Sequence, residues 1–91
     1  MSVSLKIPTP LRRMTNGESS ATVEGTNIME CIDSLEALHP GIKARLVADN
    51  GGLHRFVNVY VNGEDIRFKD GISTSVSSGD EVSIVPAVAG G

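Results

Sequence analysis

Val3, Leu5 and Ile7 alternate with Ser4 and Lys6, the period of a strand with one buried face. Pro8 and Pro10 end that strand, because neither can donate to a ladder. Asn16-Gly17 marks a turn. Ser20-Ala21-Thr22-Val23 then alternates weakly and predicts a second strand, antiparallel to the first. Ile28, Cys31, Ile32, Leu35 and Leu38 follow the spacing of an amphipathic helix, with Glu30, Asp33 and Glu36 on its solvent side. Thr26 or Asn27 offers an N-cap, and Asn27 with Glu30 resembles a capping box. Pro40-Gly41 stops the helix, since proline disfavours helical geometry in the residue before it. Residues 42–47 supply one short turn, and Asp49-Asn50-Gly51-Gly52 reads as a flexible loop.

Val57, Val59 and Val61 alternate with Phe56, Asn58 and Tyr60; Asn62-Gly63 follows, then Ile66 and Phe68. Two alternating runs around Asn-Gly are the strongest hairpin signal in the chain. Val82 and Ile84 mark the last strand, which Pro86 ends. The predicted order is β-β-α-β-β-β. One helix must cover one face of a mixed sheet, giving an α+β domain. The first and last strands then lie side by side in the centre, with a right-handed crossover. That is the β-grasp arrangement, the architecture of ubiquitin. It predicts a globular domain over residues 1–85 and an extended, flexible tail over 86–91.

Composition removes several alternatives. The chain has 91 residues, a net charge of -3 and no basic run. Its aromatics are Phe56, Tyr60 and Phe68, too few to stack bases along a charged groove, so nucleic acid is not an expected partner. No apolar stretch approaches the ~18 residues that cross a bilayer. The opening Met1-Ser2-Val3-Ser4-Leu5-Lys6 lacks the layout of a signal peptide, which leaves the cytoplasm as the expected location. Cys31 has no second cysteine to pair with and lies on the apolar helix stripe, as a core residue would. His39 and His54 have no arranged carboxylate or thiol, so neither metal nor catalytic group is expected. Glu64-Asp65 and Asp80-Glu81 read as turn and surface residues.

The chemistry is expected at Gly90-Gly91. Glycine lacks a Cβ, so such a tail can lie extended in a tunnel too narrow for other residues. An enzyme can then close on the Gly91 carboxylate. From Pro86 to Gly91 an extended chain reaches about 20 Å at ~3.3 Å per residue, enough to enter a buried site while the body stays outside. Val88 and Ala89 give the tail apolar grip without bulk. A carboxylate is a poor electrophile, and coupling it to AMP cures that. The chain carries no phosphate-cradling motif, so ATP must bind to a partner.

Two segments carry a family resemblance. One is Gly79-Asp80-Glu81-Val82-Ser83-Ile84-Val85-Pro86-Ala87-Val88-Ala89-Gly90-Gly91, a last strand after Gly-Asp and an apolar tail. The other is residues 53–68, LHRFVNVYVNGEDIRF. Over Val3 to Gly91 the chain resembles the ubiquitin-like sulfur carriers of the MoaD/ThiS/CysO family, with the middle segment and Pro86-Ala87 similar to the CysO branch. The resemblance implies a carrier without catalytic residues. Its terminal glycine, here Gly91, is adenylated by an E1-like partner enzyme with ATP and magnesium, and sulfur then displaces AMP to give a thiocarboxylate. In the CysO branch the sulfur passes to an activated serine derivative in a pyridoxal-phosphate (PLP) cysteine synthase, and a metalloprotease releases the product. Gly90, Ala89 and Val88 are the implied tail-recognition residues. Carriers for molybdopterin, thiamine or a secondary metabolite stay open at this point, as does a ubiquitin-like protein modifier.

A docking surface is also suggested. If the three valines of residues 57–61 face the helix, Phe56 and Tyr60 face the other way, and Val85 does so opposite Val82 and Ile84. These three form a candidate partner patch beside the tail. The alternatives are ordinary exposed aromatics, or Phe56 folding back to fill the sheet edge.

Overall fold

A computed structural model describes residues 2–49, 51–55 and 57–86. Five strands form one mixed sheet: β1 (Ser2–Lys6), β2 (Ser20–Glu24), β3 (Val57–Val61), β4 (Glu64–Asp65) and β5 (Glu81–Pro86), in the spatial order β2-β1-β5-β3-β4. β1 pairs antiparallel with β2 and parallel with β5, while β3 pairs antiparallel with both β5 and β4. The helix α1 (Ile28–Leu38) and the single turn α2 (Lys43–Leu46) fall between β2 and β3. This is the β-grasp topology expected from the alternation.

The core forms where the two periodicities meet. Val3, Leu5, Val23, Val59, Val82 and Ile84 point from the strands onto Ile28, Cys31, Ile32 and Leu35 of α1, in one buried cluster. Cys31 is fully buried, and burial pushes its thiol pKa upward, so it packs as a small hydrophobe. Ile42, just before α2, Leu46 of α2, Ile66 and Val76 close the cluster.

The start of α1 is tied down on both sides. Asn27 is the N-cap, its Oδ1 accepting from the Glu30 N–H at 2.8 Å. Glu30 returns to Thr26, one residue before the cap, accepting from its N–H at 2.7 Å and its hydroxyl at 2.8 Å. At the other end, the Glu36 carboxylate accepts from the N–H groups of Gly41 and Lys43. Those N–H groups hold the Glu36 carboxyl below its ordinary value of 4.5.

Four expectations need correction. Pro8 and Pro10 do not simply end a strand: Thr9–Thr15 is a 3-10 helix, with proline in its first turn. Proline there has no N–H to leave unpaired. The run after Asn62-Gly63 is only two residues of strand, and Ile66–Phe68 curls into a 3-10 turn that leaves Phe68 87% exposed. Leu38 completes the helical spacing yet is 56% exposed, at the last residue of α1. Asp65 is buried rather than superficial, its carboxylate accepting from the Arg67 N–H at 2.8 Å and from Arg67 Nη2 at 2.9 Å.

Gly25 permits the close approach of β2 to α1. A Cβ there would lie 2.8 Å from the Cys31 backbone nitrogen and 3.1 Å from its Sγ. A helix backbone cannot yield cheaply, so Gly25→Ala should destabilise the fold by about 1–3 kcal/mol. Cys31→Ala removes one buried sulfur and should cost on the order of 1 kcal/mol. Denaturant titration of both variants checks this, and wild-type stability of Gly25→Ala would mean that α1 slides freely on β2.

Candidate functional site

The site is the end of β5, from which residues 87–91 continue. β5 lies between β1 and β3, so it is hydrogen-bonded along both edges. Its inward residues Val82 and Ile84 are buried, and its register is Val59 opposite Ile84 and Val57 opposite Pro86. The strand runs through Pro86, the residue expected to end it.

The register is set at the opposite end. Asn62 adopts the left-handed conformation at φ 50°, and Gly63 follows at φ 90°. The Asn62 side chain accepts from the Glu81 N–H at 3.0 Å and donates to Asp80 Oδ1 at 3.1 Å. The other Asp80 oxygen accepts from the Ser77 N–H at 2.8 Å. The hairpin turn between β3 and β4 thus grips the first residue of β5. Gly79, at φ 90°, makes the reversal that presents Asp80 to both partners. This accounts physically for Gly-Asp before the last strand.

Gly91, Gly90, Ala89, Val88 and Phe56 lie outside the described residues. Tyr60 and Val85 are on the sheet face turned away from α1: Tyr60 stands opposite Ser83 and is half-buried, and Val85 stands opposite Asn58 and is 39% exposed. Ser4 and Lys6 of β1 share that face, so the described part of the candidate patch is small and set in polar surroundings. Asn58 Oδ1 is shut off from solvent and has no hydrogen-bond partner among the described residues.

The two histidines stand apart from the strand's hydrogen-bond grip. His39 caps the end of α1 through its backbone, and His54 Nε2 lies 3.1 Å from the Ala44 carbonyl oxygen. Among the described residues no three His, Cys, Asp or Glu side chains are grouped as a metal would need. Among them also, no helix is long and apolar enough to cross a membrane.

Sequence reasoning missed a second feature beside the strand end. Pro8, Pro10, Leu11, Arg45, Val57, Ile84 and Pro86 line an apolar groove of about 180 Å³. It forms because the 3-10 helix returns beside the end of β5, and no periodic pattern in residues 8–15 announces that. The proline pair was its one visible signal.

A mixed five-strand sheet with its last strand at the centre and one main helix is the β-grasp fold of ubiquitin-like proteins. The ThiS family model matches residues 5–91, and the chain belongs to that family. The sulfur carrier protein CysO of Mycobacterium tuberculosis is 48% identical over 100% of both chains. A chain of the Amycolatopsis orientalis BexX/CysO complex is 53% identical, with a TM-score of 0.92 over 98% of this chain and 99% of its own. Small archaeal modifier protein 3 of Haloferax volcanii is 38% identical over 75% of this chain and 73% of its own. The protein is a sulfur carrier of the CysO type and not an enzyme.

The Ser77 N–H, and after it the Asn62 amide, hold the Asp80 carboxyl below its ordinary value of 3.8. A lowered folded-state pKa adds stability above the unfolded value and loses it as pH falls through the folded one. Asp80→Asn should therefore lower the Tm at neutral pH, with the difference closing as acid takes the pH below the ordinary carboxyl value of 3.8. Thermal melts across that range check it; a pH-independent difference would mean that the carboxylate charge is not what holds β5.

Proposed function

We propose that the carboxylate of Gly91 is the working group of this protein. A partner adenylating enzyme, using ATP and magnesium, couples that carboxylate to AMP with release of pyrophosphate. Sulfur then displaces AMP, and the resulting thiocarboxylate delivers its sulfur to the synthesis of cysteine or a related sulfur amino acid. On this reading the acceptor is a pyridoxal-phosphate enzyme, a metalloprotease frees the product, and the setting is the cytoplasm. The observation that carries the reading is 48% identity across the whole length of a CysO. Gly90-Gly91 beyond the end of β5 supports it. The BexX/CysO complex supports docking of such a carrier on a partner protein.

A second reading has its own observation. The archaeal relative is named a modifier, and a modifier also needs an activated terminal glycine. The two differ in product: a carrier gains sulfur in place of one oxygen, whereas a modifier appears in larger conjugates. Intact mass of the protein taken from cells separates them.

Removing Gly90 and Gly91 should leave the Tm unchanged and abolish pyrophosphate release with the partner enzyme and ATP. Normal turnover by the truncated protein would end this reading. Gly91→Ala should bind the partner but form thiocarboxylate slowly. The added methyl either clashes or turns the carboxylate from the α-phosphate, and a ~1 Å displacement costs on the order of 100-fold in rate. Single-turnover intact mass beside binding affinity checks it; wild-type rates would show that the channel does not demand glycine.

A further inference from the structure

The chain has eight basic residues, and five of them are engaged within the fold. Lys6, Lys43, Arg67 and Lys69 face Glu81, Asp33, Asp65 and Glu64. Arg12 donates through Nε to the Ile7 carbonyl at 3.1 Å. Arg13, Arg45 and Arg55 have no ion pair among the described residues, and all three side chains are exposed.

Their placement is uneven. Arg45 forms part of the apolar groove that also contains Pro86, and Arg13 and Arg45 line an adjoining cleft with Leu11 and Met14. Arg55 comes two residues before Val57, which is paired with Pro86. Two of these three arginines, Arg13 and Arg45, therefore line one cleft beside the end of the sheet where β5 stops. A body that swallows residues 87–91 must press against this end first.

We propose that the groove beside Pro86, with Arg13 and Arg45 on its flank, is the surface that docks on the tail-activating enzyme. The partner chemistry that fits is one large apolar side chain seated in the groove and carboxylates facing the two arginines. Arginine suits this role, since its guanidinium keeps its charge and pairs carboxylates in a fixed fork. Complementary charge of this kind raises the association rate and fixes orientation, so that the tail meets its tunnel. The inference rests on the carrier reading above and adds the surface by which the partner recognises the carrier.

The test compares Arg13→Gln/Arg45→Gln with the wild type and with Lys69→Gln, which removes a charge beside β4, away from the strand end. Affinity for the adenylating enzyme is measured without ATP at low and high salt, and pyrophosphate release with ATP at saturating carrier. The double variant should bind about five- to tenfold more weakly at low salt, with a shallower salt dependence. Its turnover at saturation and its Tm should match the wild type, and Lys69→Gln should bind normally. Arg13→Lys/Arg45→Lys should recover the salt dependence but only part of the affinity, since lysine keeps the charge and loses the fork. Wild-type affinity in the double glutamine variant, or an equal loss in Lys69→Gln, overturns the docking surface while leaving the carrier reading intact. Absence of pyrophosphate release from the wild type itself would instead remove the carrier reading, and this inference with it.

Discussion

The interaction on which the rest depends is the parallel pairing of β1 with β5. Leu5 stands beside Val82 in that pair, and both side chains enter the same core. A parallel pair cannot be closed by a short turn, so the whole of the intervening chain must serve as the crossover. α1 supplies the buried face of that crossover, and β3 returns to flank β5 on its free side. The last strand is thereby the most enclosed in the sheet, although it is made last along the chain. Its end is a fixed point from which the remaining residues depart.

A fixed departure point is useful because the chemistry expected of this protein lies outside its globular body. A carrier must offer a small reactive end to an enzyme and keep everything else out of the way. The fold answers by fixing β5 at its start, through Asn62, Asp80 and Ser77, and along both edges. A slip of one residue would turn Val82 and Ile84 outward and shift Pro86 with them. The grip at one end of the strand therefore controls where the other end delivers the tail.

Much of this was readable because burial imposes a period. Val3, Leu5 and Ile7, the three valines of β3, and the helical spacing from Ile28 to Leu35 each had one face to hide, and all were placed correctly. What stayed hidden depended on contacts distant in sequence. Phe68 carries the hydrophobicity of a strand residue, but Asp65 and Arg67 bind one another and curl the chain before a strand can extend. Asp65 looked superficial because a lone carboxylate usually is, and its burial is allowed by the partner two residues away. Leu38 satisfies the helical period but stands exposed at the last residue of α1. In the candidate site, the outward direction of Tyr60 and Val85 needed only local sequence, while Gly90-Gly91 lie outside the described residues. Arg13 and Arg45 become neighbours only when the 3-10 helix folds back past α2, which no window of sequence contains.

The carrier and the modifier share this fold, so the fold cannot decide between them. An archaeal modifier 38% identical to this chain and a CysO 48% identical to it both match the same framework. Tail chemistry cannot decide either, since both uses begin from an activated glycine. What remains is the surface that chooses the enzyme, and it must lie close enough to the tail root to act before the tail is committed. The groove beside Pro86 meets that condition, as does the face bearing Val85. Selection at such a rim needs little area, because each displaced charge changes one partner's affinity relative to another's, and discrimination depends only on that difference. A small protein with one conserved architecture can in this way serve different enzymes by changing a few side chains at the end of a single strand.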